Sequence, residues 1–343
     1  MPDRSASDVS GTSGVTPRIL AITNENPDWL EADRRQGDEA WRALVSGIAE
    51  EGYECRAFKF FDDLGFLDDF DPREWLVWNW GEELAGRPWS DAEVADEIER
   101  RGFAYTGASA RLIRQTQDRM DVKRRIHTAG LPTLPGVVLR DPGTVAEWTV
   151  FPAIVKGAHQ HASVGIDSEA IVSTPAELAR RVVWLRERHR DDALVEPFLD
   201  PREFHVAVWG NEVPEALPPV EIDFSRLPDP RDRLYTEEWK GDLASRGNKS
   251  IRLICPAPVD RVYWHRRLET VAVAAYRALG LRDYARIDLR MLADEPQILD
   301  VNVNPDLMTD GGSAFVAAAA AGGFGYARMA RRIIEYAANR MPR

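Results

Sequence analysis

The sequence predicts an α/β fold of more than one domain, and three observations predict it. In the first third, short apolar runs alternate with helical periodicity. Ile19-Leu-Ala-Ile22 is followed by Trp41, Leu44, Val45, Ile48 and Ala49 at helical spacing, and then by Trp75-Leu-Val-Trp78. This alternation implies a parallel sheet with helices on its faces. Near the C-terminus, Arg286-Ile287-Asp288 and Leu299-Asp300-Val301-Asn302-Val303-Asn304 alternate apolar and polar residues at period two, with a turn-rich link at 291–297. That pattern reads as an antiparallel hairpin. Third, 343 residues are enough for two or three domains.

Composition narrows the class. Hydrophobic residues make up 44% and charged residues 29%, ordinary usage for a soluble globular protein. A net charge of −12 argues against a nucleic-acid binder. No apolar run is long enough to span a membrane, and Arg18-Ile-Leu-Ala-Ile22 is too short for a signal segment. The two cysteines, Cys55 and Cys255, have no metal spacing and are expected as reduced thiols in a cytoplasm. The eleven tryptophans are expected mostly in packing.

In chain order, residues 1–16 read as a disordered leader. The first domain is expected over 17–115. It contains the runs named above, a helix opened by a Ser90/Glu93 capping box, and a strand and turn at Phe103-Ala-Tyr-Thr-Gly107. A second lobe is expected over 116–196. Its first helix, at about 116–129, carries Asp118, Arg119 and Lys123. Strands follow at Val137–Leu139 and Ala153–Lys156, then a small-residue loop over 157–165, a helix opened by Thr174-Pro-Ala-Glu177, and a strand ending at Glu196. The last lobe, 197–343, begins with a bend at Pro197 to Pro201 and a strand at Glu203–Trp209. A polar, aperiodic stretch at 225–250 reads as a long functional loop. The amphipathic helix 261–279, the hairpin, an Ala/Gly-rich stretch and a last helix, Tyr326–Ala338, complete it.

Candidate chemistry starts at the hairpin. Strand parity puts Arg286 and Asp288 on one face and Asp300, Asn302 and Asn304 on one face of its partner. Pairing brings Asp288 beside Asp300 and Asn302, a hard-oxygen set suited to Mg²⁺. Either strand alone would read as a solvated ion-paired surface. Lys156 ends a strand and opens the small-residue loop, where it can reach phosphate oxygens while the loop's N–H groups close over them. No Walker motif is present. His159 and His161, two ligands without a third, are expected to line that loop. Glu196 before Pro197 suggests a hinge that binds an adenine edge, with Glu203 in reach of a ribose.

In order, these parts resemble the ATP-grasp superfamily, and within it the D-alanine–D-alanine ligase type, from about residue 18 to 336. The resemblance rests on Tyr105-Thr-Gly107, Ala129-Gly-Leu-Pro132, Ile154-Val-Lys-Gly-Ala158 with Ser163-Val-Gly165, Val195-Glu196 with Arg202-Glu203, Cys255-Pro-Ala-Pro258, Ala285-Arg-Ile-Asp288 and Asp300-Val-Asn-Val-Asn-Pro305. It implies an ATP-grasp fold of three domains: a Rossmann-like N-terminal domain, a small central α+β lobe and a C-terminal α+β lobe with an antiparallel sheet. ATP would lie between the second and third. The implied reaction is formation of an acyl phosphate and its displacement by an amine. By the same resemblance, Mg²⁺ (or Mn²⁺) falls to Asp288, Asp300 and Asn302. ATP falls to Arg119, Lys156, Ser163, Glu196, Pro197, Phe198, Leu199, Glu203 and Lys240. Arg286 stabilises the oxyanion, and Tyr235 and Lys240 belong to a closing ω-loop over 225–250.

The sequence also departs from that family. Ala162-Ser163 replaces a Ser-Ser pair and Lys240-Gly241 replaces Lys-Tyr. Asp306 follows Asn302-Val-Asn-Pro305 where the family has glycine, and Trp78-Asn-Trp-Gly-Glu-Glu83 replaces the N-terminal signature. Glu83, Asp306 and Ser313 are therefore the candidate substrate contacts. The expected function is a carboxylate–amine ligase for an amino acid other than or broader than D-alanine, with specialised metabolism as a setting. The alternatives are a cell-wall D-alanine–D-alanine ligase and a non-catalytic ATP-binding regulator. Expected partners are small-molecule carboxylates and amines, neither nucleic acid nor membrane, with a homodimer left open.

Overall fold

The computed structural model describes residues 16–159, 165–200, 202–234, 251–258, 262–309 and 311–342. The residues before Thr16, and residues 235–250 of the loop expected over 225–250, lie outside the described residues.

Three sheets carry the architecture, each built from a continuous stretch of chain. The first is parallel, in the order β2-β1-β3, from β1 (Arg18–Asn24), β2 (Cys55–Phe60) and β3 (Trp75–Trp80). Strand parity divides β1 between two cores. Leu20 and Ile22 join one, and Ile19 and Ala21 the other, all fully buried. The helix α1 (Glu31–Glu50) closes the second core with Trp41, Leu44 and Ile48. Fully burying a leucine or isoleucine such as these stabilises the fold by roughly 2 kcal/mol. The expected strand at 103–107 is reduced to a single parallel bridge from Tyr105 to Val77. The helix α2 (Asp91–Arg100) has the expected position but not the expected cap. The Ser90 hydroxyl instead accepts from the Leu84 N–H and donates to the Arg87 carbonyl, and Glu93 pairs with Arg87.

The helix expected at 116–129 is two helices, α3 (Ala110–Gln117) and α4 (Arg119–Thr128), so residue 115 falls within α3. Asp118, extended between them, caps α4 by accepting from the Asp121 N–H at 2.9 Å. The break re-aims the chain, so Arg119 and Lys123 of α4 point into the protein and are buried.

The second sheet is antiparallel, β4-β7-β5-β6, from β4 (Val137–Leu139), β5 (Ala153–Gly157), β6 (Ile171–Val172) and β7 (Ala193–Pro197). The helix α5 (Pro175–His189) packs on it. Here the capping box forms as expected: Thr174 accepts from the Glu177 N–H at 3.2 Å, and Glu177 accepts from the Ser173 N–H at 2.6 Å. This unit has its own core, including Leu139, Val155, Leu178, Leu185 and Val195.

The third sheet runs β11-β10-β8-β12-β13, with β9 also paired to β8. Its strands are β8 (Glu203–Trp209), β9 (Glu215–Ala216), β10 (Val220–Asp223), β11 (Arg252–Ile254), β12 (Tyr284–Leu292) and β13 (Glu295–Asn302). The helix α6 (Val262–Leu279) covers one face. Leu268, Val271 and Ala275 of α6, with Phe204, Ile287 and Leu289 of the sheet, share a continuous core with Leu20, Val77 and Ile98 of the N-terminal part. The chain closes with α7 (Ala314–Ala321) and α8 (Tyr326–Ala338), whose Met329, Ile333 and Ile334 join Leu44 in the other core. The first and third sheets therefore share cores, while the second sheet keeps its own.

The hairpin link is tighter than the sequence suggested. β12 runs to Leu292, and Ala293-Asp294 alone make the turn, with Ala293 at φ 55°.

Candidate active site

The β12/β13 register sets Asp288 opposite Asp300 and Arg286 opposite Asn302. It then slips between Asp288 and Leu289, leaving Leu299 as an extra residue in β13. The Leu299 carbonyl accepts from Lys156 at 3.4 Å. Both oxygens of Asp288 accept from Arg286, at 2.7 and 2.9 Å, and Oδ2 also accepts from the Asn302 amide at 3.0 Å. On its other side β12 pairs with β8, so Asp288 faces His205 and Arg290 faces Glu203.

Opposite this sheet, β5 and β7 supply the other wall of the cleft. Val155 pairs with Val195 and Ile154 with Glu196, so Lys156 and Glu196 are diagonal neighbours on one face. Glu196 is only 1% exposed. One of its oxygens meets Lys156 at 2.6 Å and the other meets Lys123. Burial pushes the Glu196 carboxyl up, but Lys156 and Lys123 together hold it below the usual range. Burial also lowers Lys123, which Glu196 partly offsets. The start of α4 lies against the same wall. Arg119 donates its backbone N–H to the Ala158 carbonyl at 3.0 Å and Nη1 to the Gly157 carbonyl at 2.6 Å, and Nη2 reaches Asp300 at 3.3 Å.

Between the walls lies an open cleft. Six charged groups and one amide line one end: Arg119, Lys156, Glu196, Arg286, Asp288 and Asp300, with Asn302. The other end is apolar, with Leu134, Ile154, Ile166, Phe198, Leu199 and Leu234. Such a division suits a ligand with a charged tail and a flat apolar head. The Phe198 N–H is taken by the Pro152 carbonyl at 2.9 Å. Glu203 holds His205 at 3.0 Å on one oxygen and Arg290 at 2.9 Å on the other. Burial raises the Glu203 carboxyl, but Arg290 and then His205 outweigh that and hold it at about 2.

The cleft thus brings together Arg119, Lys156, Glu196, Pro197, Phe198, Leu199, Glu203, Arg286, Asp288, Asp300 and Asn302. Ser163, His161, Tyr235 and Lys240 lie outside the described residues. The substrate candidates do not line this cleft. Glu83, on the loop after β3, accepts from the Asn26 amide at 2.6 Å. Asp306 accepts from the Met308 N–H at 2.6 Å, and the Ser313 hydroxyl donates to the Asp306 carbonyl and caps α7 through the Val316 N–H. His159 is bound to Asp191 through its ring Nδ1 at 2.8 Å and its N–H at 3.0 Å, which fixes the start of the small-residue loop.

Three residues around the site were given no role by the sequence reading: Lys123, named only as part of its helix, His205 and Arg290. Each carried a signal. Lys123 is four residues after Arg119, on the same helix face. His205 and Arg290 continue the period-two faces of Glu203 and of Arg286/Asp288.

Among the described residues no three His, Cys, Asp or Glu side chains converge to hold a metal by themselves. The available donor set is two carboxylates and one amide. It fits Mg²⁺, which usually takes one or two carboxylates and shares its shell with water and phosphates. No helix among the described residues is long and apolar enough to cross a membrane.

Comparison with known proteins agrees with this geometry. Residues 136–335 match the family described as the D-ala D-ala ligase C-terminus. The uncharacterized protein y4sG of Sinorhizobium fredii is 33% identical, the match covering 87% of each chain. The D-alanine–D-alanine ligase of Geobacter sulfurreducens is 30% identical over 81% of this chain and 82% of its own. The crystal structure of the D-alanine–D-alanine ligase of Bacillus anthracis complexed with ATP shares the fold, with a TM-score of 0.70 at 17% identity, covering 94% of this chain and 98% of that one. The chain belongs to the D-alanine–D-alanine ligase family of the ATP-grasp superfamily and is an ATP-dependent ligase that forms a C–N bond.

Proposed function

We propose that the protein joins an amino-acid carboxylate to an amine through an acyl phosphate, with ATP and Mg²⁺, on a substrate other than or broader than D-alanine. The observation that carries this is the facing of Asp288, Asp300 and Asn302 across the cleft from the Lys156–Glu196–Lys123 group. In this reading a substrate carboxylate oxygen attacks the γ-phosphorus and the bond to ADP breaks. The amine then attacks the acyl carbon, and phosphate leaves with the bonding electrons and takes up the proton that the amine loses. Lys156 and Arg119 hold phosphate oxygens, and the apolar end with Pro197 to Leu199 takes the base. Arg286, aligned by Asp288, faces the anionic oxygen that forms at the acyl carbon. Mg²⁺ held by Asp288, Asp300 and Asn302 would neutralise phosphate charge.

The substrate reading rests on the sequence departures at Asp306, Lys240-Gly241 and residues 78–83. A carboxylate at Asp306 favours a substrate with an added positive charge. Glu83 and Ser313 remain the other substrate-side candidates, and Tyr235 and Lys240 of the ω-loop the further catalytic candidates beside Arg286. Phosphate release is the test: ATP and Mg²⁺ with separate pools of neutral, acidic and basic amino acids of each hand. Release with basic or mixed pools supports the reading, and release with D-alanine alone replaces it by a cell-wall ligase. Light scattering checks the homodimer.

A further inference from the structure

Arg290 is an unusual group for its place. It lies on β12, two residues past Asp288 on the same face, beside the apolar end of the cleft, and its side chain is only 4% exposed. The rings of Phe198 and Phe224 each lie 5.5 Å from its guanidinium carbon. A charge in such surroundings is costly unless its donors are satisfied. Here they are, by three separate segments. Nε donates to Glu203 at 2.9 Å, Nη1 to the Leu199 carbonyl, and Nη2 to the Arg233 carbonyl at 2.6 Å. Leu199 belongs to the hinge after β7, and Arg233 directly precedes Leu234. Leu199 and Leu234 both line the apolar end of the cleft. The Arg233 side chain closes the loop of contacts, meeting Asp200 of the hinge at 3.0 Å.

We infer that Arg290 is a positioning residue for the nucleotide. Its planar fork fixes the spacing between the hinge at Leu199 and the segment at Leu234, and so the width of the slot for the base. It also holds Glu203 in one orientation. Glu203 Oε2 faces both Nε and Nη2 of Arg290 at 2.9 Å, while Oε1, bound to His205, keeps a second acceptor direction for a ligand hydroxyl. A lysine supplies the charge but not three divergent planar donors. The role is separate from chemistry at the other end of the cleft, where Arg286, Asp288 and Asp300 sit. This inference rests on the ATP-binding reading of the cleft.

The test is ATP and ADP binding by calorimetry, with steady-state phosphate release, for wild type, Arg290→Met and Arg290→Lys. Circular dichroism and melting establish that each variant is folded. Positioning of the base predicts a rise in KM and Kd for ATP of roughly 10- to 100-fold in Arg290→Met, the range for residues that orient direct ligand contacts. Arg290→Lys should fall between it and wild type, and kcat at saturating ATP should stay within about threefold. Should Arg290→Met not fold, Arg290→Lys carries the test, with a KM raised at constant kcat as the expected result. Nucleotide affinity within threefold of wild type in a folded variant overturns the inference, as does a fall in kcat at unchanged KM. Failure of the wild type to bind ATP counts against the function of the cleft, a result distinguishable from either.

Discussion

Glu196 between two lysines allows a quantitative prediction. Glu196→Gln removes the carboxylate that Lys123 and Lys156 share and leaves two ammonium groups around one amide. The lysine side chains are 7% and 8% exposed, so water does little to screen them. Unit charges about 4 Å apart interact by about 4 kcal/mol at an effective dielectric of about 20. Breaking a buried pair from one side typically costs about 3–5 kcal/mol. The expected loss is therefore about 3–5 kcal/mol, a large part of the roughly 5–15 kcal/mol that holds a typical domain folded. Lys123→Met is the control. It leaves a neutral Lys156–Glu196 pair and should cost about 2 kcal/mol or less, chiefly the loss of one buried hydrogen-bonded partner, while weakening ATP binding through loss of a positive charge. The assay is urea unfolding by circular dichroism at pH 7 and 9.5. Alkali should narrow the Glu196→Gln deficit, because a lysine that sheds its proton ends the repulsion. An unfolding midpoint for Glu196→Gln equal to wild type, or a Lys123→Met loss as large as that of Glu196→Gln, would refute this account of the triad.

Other expectations are as direct. Glu203 is held at about 2, below its ordinary 4.5, so its contribution to stability is fully present above the ordinary value and is lost as pH falls from about 4.5 toward 2. That contribution is on the order of 3 kcal/mol, and acid unfolding of Glu203→Gln should lack that segment of the titration. Asp300→Ala should abolish amino-acid-dependent phosphate release, and retained release would remove Asp300 from the metal set. Gly107, at φ 90°, donates its N–H to Asp283, and a Cβ there would strike Asn304 Oδ1. Gly107→Ala should therefore lower stability by about 1–3 kcal/mol, measured as a shift in the urea midpoint.

Much of the site was legible because strand parity is unforgiving. A slip of one residue would turn Asp288 or Asp300 to the other face, so the alternation itself fixed which residues share the cleft. The Thr174/Glu177 box was legible for a different reason: its bonds run between neighbours in sequence. The Ser90/Glu93 pattern looked the same but failed. The turn before it holds Ala85, Gly86 and Trp89 at positive φ, and this conformation brings the Leu84 N–H and Arg87 carbonyl to the Ser90 hydroxyl. Lys123 was missed because its direction depends on the break at Asp118, which turns α4 away from α3. The strand at Cys55–Phe60 was missed because it is a sheet edge, exposed or half-buried up to Phe60, and its apolar residues do not alternate with polar ones at period two. His205 and Arg290 had the right parity. What sequence did not show is that Glu203, two residues before His205 on β8, also takes Arg290 from the neighbouring strand β12.

The separate core of the second sheet has a consequence for how the molecule comes apart. Leu139, Val155, Leu178 and Val195 pack among themselves, whereas the first and third sheets share theirs. Across the cleft the ties are polar, such as Lys156 to the Leu299 carbonyl and Arg119 to Asp300, together with a small apolar cluster in which Leu234 meets Ala170 and Ile171. Amide protons of β5 and β7 should therefore exchange through an opening that leaves β8 and β12 protected. A nucleotide gripping both walls would convert that partial opening into a step of global unfolding, and the protection of β5 and β7 would rise to meet that of β12.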